Sequence, residues 1–106
     1  MNTPFEASTI NGMKLANRFV RSATWEGMAA DDGSCTPKLI SLMADLARGG
    51  VGLIISSHSY VQKVGQAGYG QIGIHEDQMI PRLEKMTTAV HDQRGIIVCQ
   101  LAHAGF

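Results

Sequence analysis

The sequence predicts an α/β fold built on a parallel sheet, with a short hairpin followed by the order β-α-β-α-β. Two strand-to-strand connections each contain a helix, and a helical crossover joins parallel strands in a right-handed sense. Residues 51–55 form an apolar run without polar alternation, which is typical of a strand covered on both faces. Each predicted strand gives way to polar residues at its carboxyl end, so we expect one polar edge of the sheet.

The composition indicates one small globular unit, since 44% of the 106 residues are hydrophobic and 17% are charged. Nine basic and nine acidic side chains cancel, which argues against binding to nucleic acid or to an anionic membrane. No apolar run approaches the ~20 residues of a membrane span, and the first residues lack a signal-peptide pattern. We therefore expect a cytoplasmic protein in which Cys35 and Cys99 are free thiols.

The chain begins with a predicted hairpin. Asn11-Gly12 separates two short apolar segments, and this pair favours a type I′ turn because both residues must take positive φ. Residues 18–24 are predicted as the first strand of the main sheet. A long loop follows and extends past Gly33.

The first helix has clear start and stop signals. The Thr36 hydroxyl can cap a free N–H, and Pro37 at the first helical position has no N–H to satisfy. Gly49-Gly50 ends the helix, because glycine adopts the left-handed conformation at low cost. The apolar residues at helical spacing are Leu39, Leu42, Met43 and Leu46.

The second strand, residues 51–55, leads into Ser56-Ser57-His58-Ser59 and then into a glycine-rich loop. A second helix is predicted to begin between Asp77 and Pro81. Its apolar face consists of Ile80, Leu83, Met86 and Val90.

We expect Gly95 at the C′ position of the second helix, followed by a third strand over residues 96–99. Gln100 and His103 follow this strand directly. Together with the polar residues after the first two strands, they complete the predicted polar edge.

Three parallel strands with two helices open either a (β/α)₈ barrel or one half of a doubly wound sheet. Residues 22–27, from the end of the first strand onward, contain neither of the glycine-rich phosphate-binding patterns typical of doubly wound nucleotide-binding proteins. This favours the opening of a TIM barrel. Because such a barrel takes ~250 residues, we expect it to be incomplete in this chain.

Four segments in order match one known family. They are Asn17-Arg18-Phe19-Val20, Gly49-Gly50-Val51-Gly52-Leu53-Ile54-Ile55, Gly73-Ile74 and Gln100-Leu101-Ala102-His103-Ala104-Gly105. With them the chain resembles the amino-terminal part of the Old Yellow Enzyme family of NADH:flavin oxidoreductases. The resemblance implies that residues 1–106 are the amino-terminal part of a flavin-binding TIM-barrel domain. Residues 1–16 would be its capping hairpin, and residues 17–106 its first three strands and two helices.

The resemblance also implies an activity. FMN would be the cofactor, NADH or NADPH the reductant, and a small molecule such as an activated alkene the acceptor. An alternative class of function follows from the open sheet edge and exposed apolar faces. On that interpretation the chain is a non-catalytic assembly module that forms a homo-oligomer or pairs with a complementary chain.

By position, the family's flavin contacts fall on the three strand ends. They are Ser22, Ala23, Thr24 and Trp25 in the first, Ser57 and His58 in the second, and Gln100 in the third. The Gln100 amide can donate and accept at once, which suits the pyrimidine edge of a flavin. The hydroxyl that would tune the flavin is Thr24, although in strict register this position falls on Trp25. The resemblance assigns no catalytic residue and no metal ligand within this chain, and Phe106 stands where the family tends to carry Arg.

Other roles stay open for several of these side chains. Trp25 can contact a ring-shaped ligand or serve as a packing anchor, and His58 can contact flavin or only its own loop. For His103 a structural role is favoured. His75 and His91 have no partner at ligand spacing and are expected at the surface.

Overall fold

A computed structural model describes residues 3–105. The predictions for Phe106 and for the first two residues of the capping hairpin unit, 1–16, lie outside the described residues. The strands are β1 (Ser8–Ile10), β2 (Met13–Leu15), β3 (Val20–Arg21), β4 (Leu53–Tyr60) and β5 (Ile97–Ala102). The helices are α1 (Pro37–Arg48) and α2 (Ile80–Asp92), with short 3₁₀ turns at Lys63–Gly65 and Asp77–Met79.

The main sheet has the order β3-β4-β5, and both pairings are parallel. The two helices pack on each other and on β4 through a buried core that includes Leu39, Met43, Ile54, Met86 and Val90. β3 and β5 are the edges of this sheet, which is not closed. The predicted α/β class and the incomplete barrel sheet are confirmed.

The predicted hairpin is confirmed over its described residues. β1 and β2 pair antiparallel, and the turn between them has φ of 46° at Asn11 and 87° at Gly12. Two positive φ values in succession define the type I′ turn that the Asn-Gly pair favours. The side chain of Asn17 then donates to the Gly50 carbonyl at 2.6 Å, which attaches the chain after the hairpin to the end of α1.

α1 begins and ends as predicted. The Thr36 hydroxyl accepts from the Leu39 N–H at 3.2 Å, and Pro37 is the first helical residue. At the other end Gly50 has φ of 96°, and the Val51 N–H donates back to the Leu46 carbonyl. This is a Schellman ending, in which a left-handed residue lets the chain turn out of the helix.

α2 ends in the same motif, but the prediction that Gly95 is its left-handed residue is wrong. Arg94 has φ of 62°, and the Gly95 N–H donates to the Val90 carbonyl at 3.0 Å. Gly95 is needed for close packing instead, because a Cβ at this position would lie 2.6 Å from the Cβ of Ala47.

The strands differ from the predicted ranges. β3 is only two residues long, whereas β4 and β5 continue to Tyr60 and Ala102. The polar part of β4 stays in the sheet because it pairs with β5, from His58 opposite Gln100 to Tyr60 opposite Ala102, and the returning loop adds a bridge at Tyr60. The Tyr60 N–H donates to the Ile72 carbonyl, and the Ile74 N–H donates to the Tyr60 carbonyl, both at 3.0 Å. Ser57, His58 and Gln100 therefore lie within strands and not just after them.

A β-bulge interrupts the pairing of β4 with β5. Ile55 lies opposite Val98, and the next paired positions are His58 and Gln100, so three steps along β4 match two along β5. A bulge changes the face on which later side chains lie and bends the strand. It directly precedes the residues that the sequence marks as the candidate site.

Candidate functional site

Two loops meet beyond the carboxyl ends of β3 and β4. Their backbones are hydrogen bonded, from the Ala29 N–H to the Gly70 carbonyl at 3.1 Å and from the Gly73 N–H to the Gly33 carbonyl at 2.8 Å. A Cβ on Gly70 would lie 2.7 Å from the carbonyl of Gly27. Only a residue without a side chain fits at this approach, which explains part of the glycine content of both loops.

An open cavity of about 340 Å³ lies at this edge of the sheet. Trp25 from the first loop and His58 from β4 form part of its wall, and residues 67, 68 and 71 of the second loop complete it. The Trp25 side chain is 59% exposed. The structure thus brings two of the predicted site residues together at one cavity.

Gln71 fixes the loop wall of this cavity. The side chain is buried, its Oε1 accepts from the Ala67 N–H at 2.6 Å, and its Nε2 donates to the His58 carbonyl at 3.2 Å. The sequence did not single out Gln71, because the only local signal is a glutamine within a glycine-rich loop.

Gln100 is the partner of His58 across the sheet. The two residues occupy directly paired positions of β5 and β4, immediately after the bulge. Gln100 is exposed and His58 is half-buried, so a ligand above this edge could contact the Gln100 amide.

Ser57 lies in the interior of the sheet. Its hydroxyl is buried and has no hydrogen-bond partner among residues 3–105. The Ser57 carbonyl accepts from the hydroxyls of Ser56 and Ser59, both at 3.2 Å. The structure therefore places Ser57 near the predicted site but not on the wall of the cavity.

The segment after β3 has free backbone donors. No hydrogen bond within residues 3–105 uses the backbone N–H of Ala23, Thr24 or Trp25. The Thr24 hydroxyl donates to the Ser22 carbonyl at 3.0 Å, so its proton is already engaged. Of these three residues Trp25 lines the cavity, and free N–H groups suit a ligand whose edge carries acceptor atoms.

An ion pair flanks the segment 22–25 in the chain. Arg21 Nη2 is 2.7 Å from Glu26 Oε2, and the two side chains are only 15% and 3% exposed. Sequence reasoning missed both residues, since an Arg and a Glu five positions apart around a strand end give no recognised motif.

His103 has the structural role that the sequence favoured. Its Nε2 is 3.0 Å from Gln62 Oε1, and its Nδ1 accepts from the Gly105 N–H at 3.1 Å. The neutral ring therefore carries its proton on Nε2. The ring also packs on Gly65, where a Cβ would lie 2.6 Å from it.

The expected surface position is observed for His91, but for His75 it is wrong. The His75 side chain is only 10% exposed, and its ring lies 4.8 Å from that of Tyr60. The Tyr60 hydroxyl donates to the Asp32 carbonyl at 3.2 Å. Burial, together with the charges of Asp32 and Glu76, raises the pKa of Tyr60. Tyr60 of β4 thus contacts both loops, at Asp32 in the first and at His75 in the second.

Nowhere among residues 3–105 do three or more His, Cys, Asp or Glu side chains come together in a way that could hold a metal ion. Neither helix in this range is long and apolar enough to cross a membrane.

A parallel sheet with helical crossovers and a cavity at its carboxyl edge is the architecture of α/β-barrel proteins, which bind ligands at that edge. Residues 4–106 match the NADH:flavin oxidoreductase / NADH oxidase family, and the chain belongs to this family. The Old Yellow Enzyme resemblance predicted from the sequence is confirmed.

Relatives and solved structures agree with this assignment. The chain is 37% identical to an NADPH dehydrogenase of Bacillus subtilis over 102 residues, which cover 95% of this chain and 30% of the relative. It is 30% identical to a 4,4'-dithiodibutanoate disulfide reductase of Rhodococcus erythropolis, covering 95% and 25% of the two chains. The Old Yellow Enzyme homologue of Zymomonas mobilis superposes with a TM-score of 0.86 at 27% identity, covering 96% and 28%. The chain thus spans about a quarter to a third of the length of these proteins.

Proposed function

We propose that the chain forms the amino-terminal part of an FMN-dependent oxidoreductase that uses NADH or NADPH to reduce a small-molecule acceptor such as an activated alkene. In this proposal residues 1–106 belong to one flavin-binding barrel domain, with residues 1–16 as its cap. The observation that carries it is the meeting of Trp25 and His58 at one cavity, with Gln100 paired to His58. A cytoplasmic location is part of the same proposal.

The residues present fit a flavin in their chemistry. The Gln100 amide and the free N–H groups of Ala23, Thr24 and Trp25 provide donors for the acceptor atoms of the ring. The Trp25 indole and the His58 imidazole provide flat surfaces beside them. Ser22 directly follows β3 at the start of the segment, and Ser57 lies in the neighbouring strand β4. FMN, when bound, would supply the hydride chemistry.

These donors would stabilise the reduced form of the flavin. A reduced flavin gathers negative charge on its pyrimidine edge, and fixed N–H donors directed at that edge stabilise the charge. Gln100 would hold the edge, and the segment 22–25 would complete the donor set. The cavity beside Trp25 and His58 would exclude water from one side of the ring.

The proposal can be tested by equilibrium dialysis of the 106-residue chain against FMN, with quenching of Trp25 fluorescence as a second readout. We expect saturable binding that is weakened in Gln100→Ala and His58→Ala. His91→Ala is the matched control, because His91 is exposed on α2. A dissociation constant weaker than ~1 mM for the parent chain, below about 4 kcal/mol of binding energy, would reject a flavin site. Equal affinity in the parent and the Gln100 variant would reject the assignment of Gln100.

A second candidate function, assembly, is favoured by a different observation. An apolar cavity of about 340 Å³ lies between β5 and α2, and Leu83, Met86, Ile97 and Leu101 contribute to its wall. The Leu101 side chain is 64% exposed, and β5 is an edge strand. Such an edge beside an apolar groove invites pairing with another chain, as a homo-oligomer or with a complementary chain.

Sedimentation analysis over a range of concentrations tests this second function. We expect self-association that is reduced in Leu101→Lys and retained in Ile10→Lys, which changes an equally apolar exposed residue on the hairpin. A monomer at all concentrations would exclude the homo-oligomer. Pairing with a complementary chain would then have to appear as a stable complex in co-expression with the segment that follows in the longer relatives.

A further inference from the structure

We propose that Arg21 and Glu26 form a positioning pair that sets the direction of the Trp25 backbone N–H, a free donor of the segment 22–25. The inference rests on the flavin site proposed above, and it deepens that proposal by naming what orients its first strand end. Neither residue needs to touch the cofactor for this role.

The Arg21 guanidinium joins three parts of the molecule. Its Nη1 donates to the Ile55 carbonyl of β4 at 3.0 Å. Its Nη2 donates to the Thr24 carbonyl at 3.1 Å and to Glu26 Oε2 at 2.7 Å. The planar guanidinium offers its donors in a fixed fork, so these contacts constrain one another.

Arg21 also compensates for the early end of β3. The last paired positions of the two strands are Arg21 and Ile54, so the chain leaves the sheet at Ser22. The next β4 carbonyl, that of Ile55, receives the guanidinium of Arg21. The segment is therefore held by a side chain at the point where the regular ladder stops.

The direction of the donors follows from peptide geometry. All described peptide bonds are trans, and in a trans peptide the N–H points opposite to the C=O of the preceding residue. Because the Thr24 carbonyl is directed at Arg21, the Trp25 N–H is directed away from the guanidinium. Glu26 in turn holds the guanidinium in place. The pair thereby decides where a free donor of the site faces.

The burial of the pair makes it sensitive to substitution. Removing one member leaves the other charge unpaired in a site with little solvent, which is strongly unfavourable. The exposed pair of Arg48 and Asp45 provides a matched control, with an N–O distance of 3.0 Å and side chains 64% and 62% exposed. Arg48→Met removes the same functional group as Arg21→Met, but at the surface.

The test uses the 106-residue chain and its single tryptophan, which lies in the segment itself. The readouts are the ¹H–¹⁵N amide shift of Trp25, the anisotropy of its fluorescence, and the FMN dissociation constant. All are measured where circular dichroism shows each variant to be folded. We expect Arg21→Met to move the amide shift, lower the anisotropy and weaken FMN binding about ten-fold, the equivalent of one backbone hydrogen bond to the cofactor. Arg21→Lys should restore part of the affinity, and Arg48→Met should change nothing.

A pair that only stabilised the fold would behave differently. Arg21→Met would then melt at a lower temperature, with the amide shift and FMN affinity of its folded form unchanged, and this result would overturn the inference. If Arg21→Met does not fold, Glu26→Gln decides the question by the same readouts, since it keeps the size and one acceptor atom. If the parent chain does not bind FMN, the flavin proposal fails, while the Trp25 amide shift still shows whether Arg21 orients the segment.

Discussion

A Cβ atom added to Gly95 would lie 2.6 Å from the Cβ of Ala47, which places the turn between α2 and β5 in direct contact with the end of α1. The same added atom would lie 2.9 Å from Cγ1 of Val90. Ala47 and Val90 are both buried in the core, so neither has room to move aside.

We therefore predict that Gly95→Ala lowers the free energy of unfolding by about 1–3 kcal/mol, the usual cost of overpacking a core. Gly68→Ala is the matched control, because a Cβ on Gly68 meets no atom within 4 Å. Urea unfolding followed by circular dichroism measures both. Equal midpoints for the two variants would contradict the close packing at Gly95.

A substitution at Arg94 should raise the free energy of unfolding instead of lowering it. Its φ of 62° is costly for a residue with a Cβ, and glycine removes that cost. We expect Arg94→Gly to raise the free energy of unfolding by up to about 1 kcal/mol, after allowance for the greater freedom of glycine in the unfolded chain. Arg94→Ala keeps the unfavourable conformation and should give no gain. A melting temperature that rises equally in both variants would mean that loss of the charge, and not the backbone, is responsible.

The two thiols should differ in reactivity. Burial, reinforced by the negative charge of Glu26, raises the pKa of Cys35 from its ordinary value of 9.0 to about 11, whereas Cys99 is exposed. Because the thiolate is the reactive form, we expect one fast alkylation at Cys99 and a second only on unfolding. Mass spectrometry after timed alkylation measures this, and Cys99→Ser should abolish the fast reaction. Fast modification of Cys35 in the folded chain would contradict its burial.

The raised pKa of Cys35 also predicts a pH dependence of stability. The unfolded chain loses the thiol proton near pH 9, but the folded chain keeps it until about pH 11. The contribution is therefore fully present below pH 9 and is lost as the pH rises toward 11. Unfolding free energies at pH 8 and pH 10.5 should differ less in Cys35→Ala than in the parent, and Cys99→Ala should keep the parent's dependence.

Substitution of Gln71 should lower both the stability of the fold and the affinity for FMN. Gln71→Leu removes the acceptor of the Ala67 N–H and the donor to the His58 carbonyl, and we expect a loss of about 1–3 kcal/mol. The loop wall of the cavity would also lose its attachment to β4, so FMN affinity should fall in the folded variant. Gln93→Leu, at an exposed position after α2, controls for the change of side-chain type. Unchanged affinity in folded Gln71→Leu would exclude this loop from the ligand site.

Local signals in the sequence were enough to predict where the first helix begins and ends. Thr36, Pro37 and Gly50 give the limits of α1, because capping and left-handed turns depend on residues adjacent in the chain. The sequence could not separate the roles of Arg94 and Gly95, since the contact that requires glycine comes from Ala47 in the other helix.

Longer-range contacts explain the remaining differences. β4 continues through its polar residues because these pair with β5 and because residues 72–74 return to pair with Tyr60, and no local pattern shows either contact. His75 is covered by the Tyr60 ring for the same reason. At the candidate site, the position of His58 followed from the polar strand end, whereas Trp25 was assigned through the family resemblance. The support behind them, from Arg21 and Gln71, depends on contacts between separate elements.

The backbone contacts between the two loops, at Gly27 with Gly70 and at Gly33 with Gly73, have a consequence for how such a site diversifies. Main-chain atoms make these contacts, so the two loops stay joined when exposed side chains between the glycines change, as long as the buried Gln71 is kept. Substitutions at exposed positions such as Tyr69 and Val64 can accumulate without loss of the framework. A lineage can in this way change what its loops recognise while the scaffold beneath them stays constant.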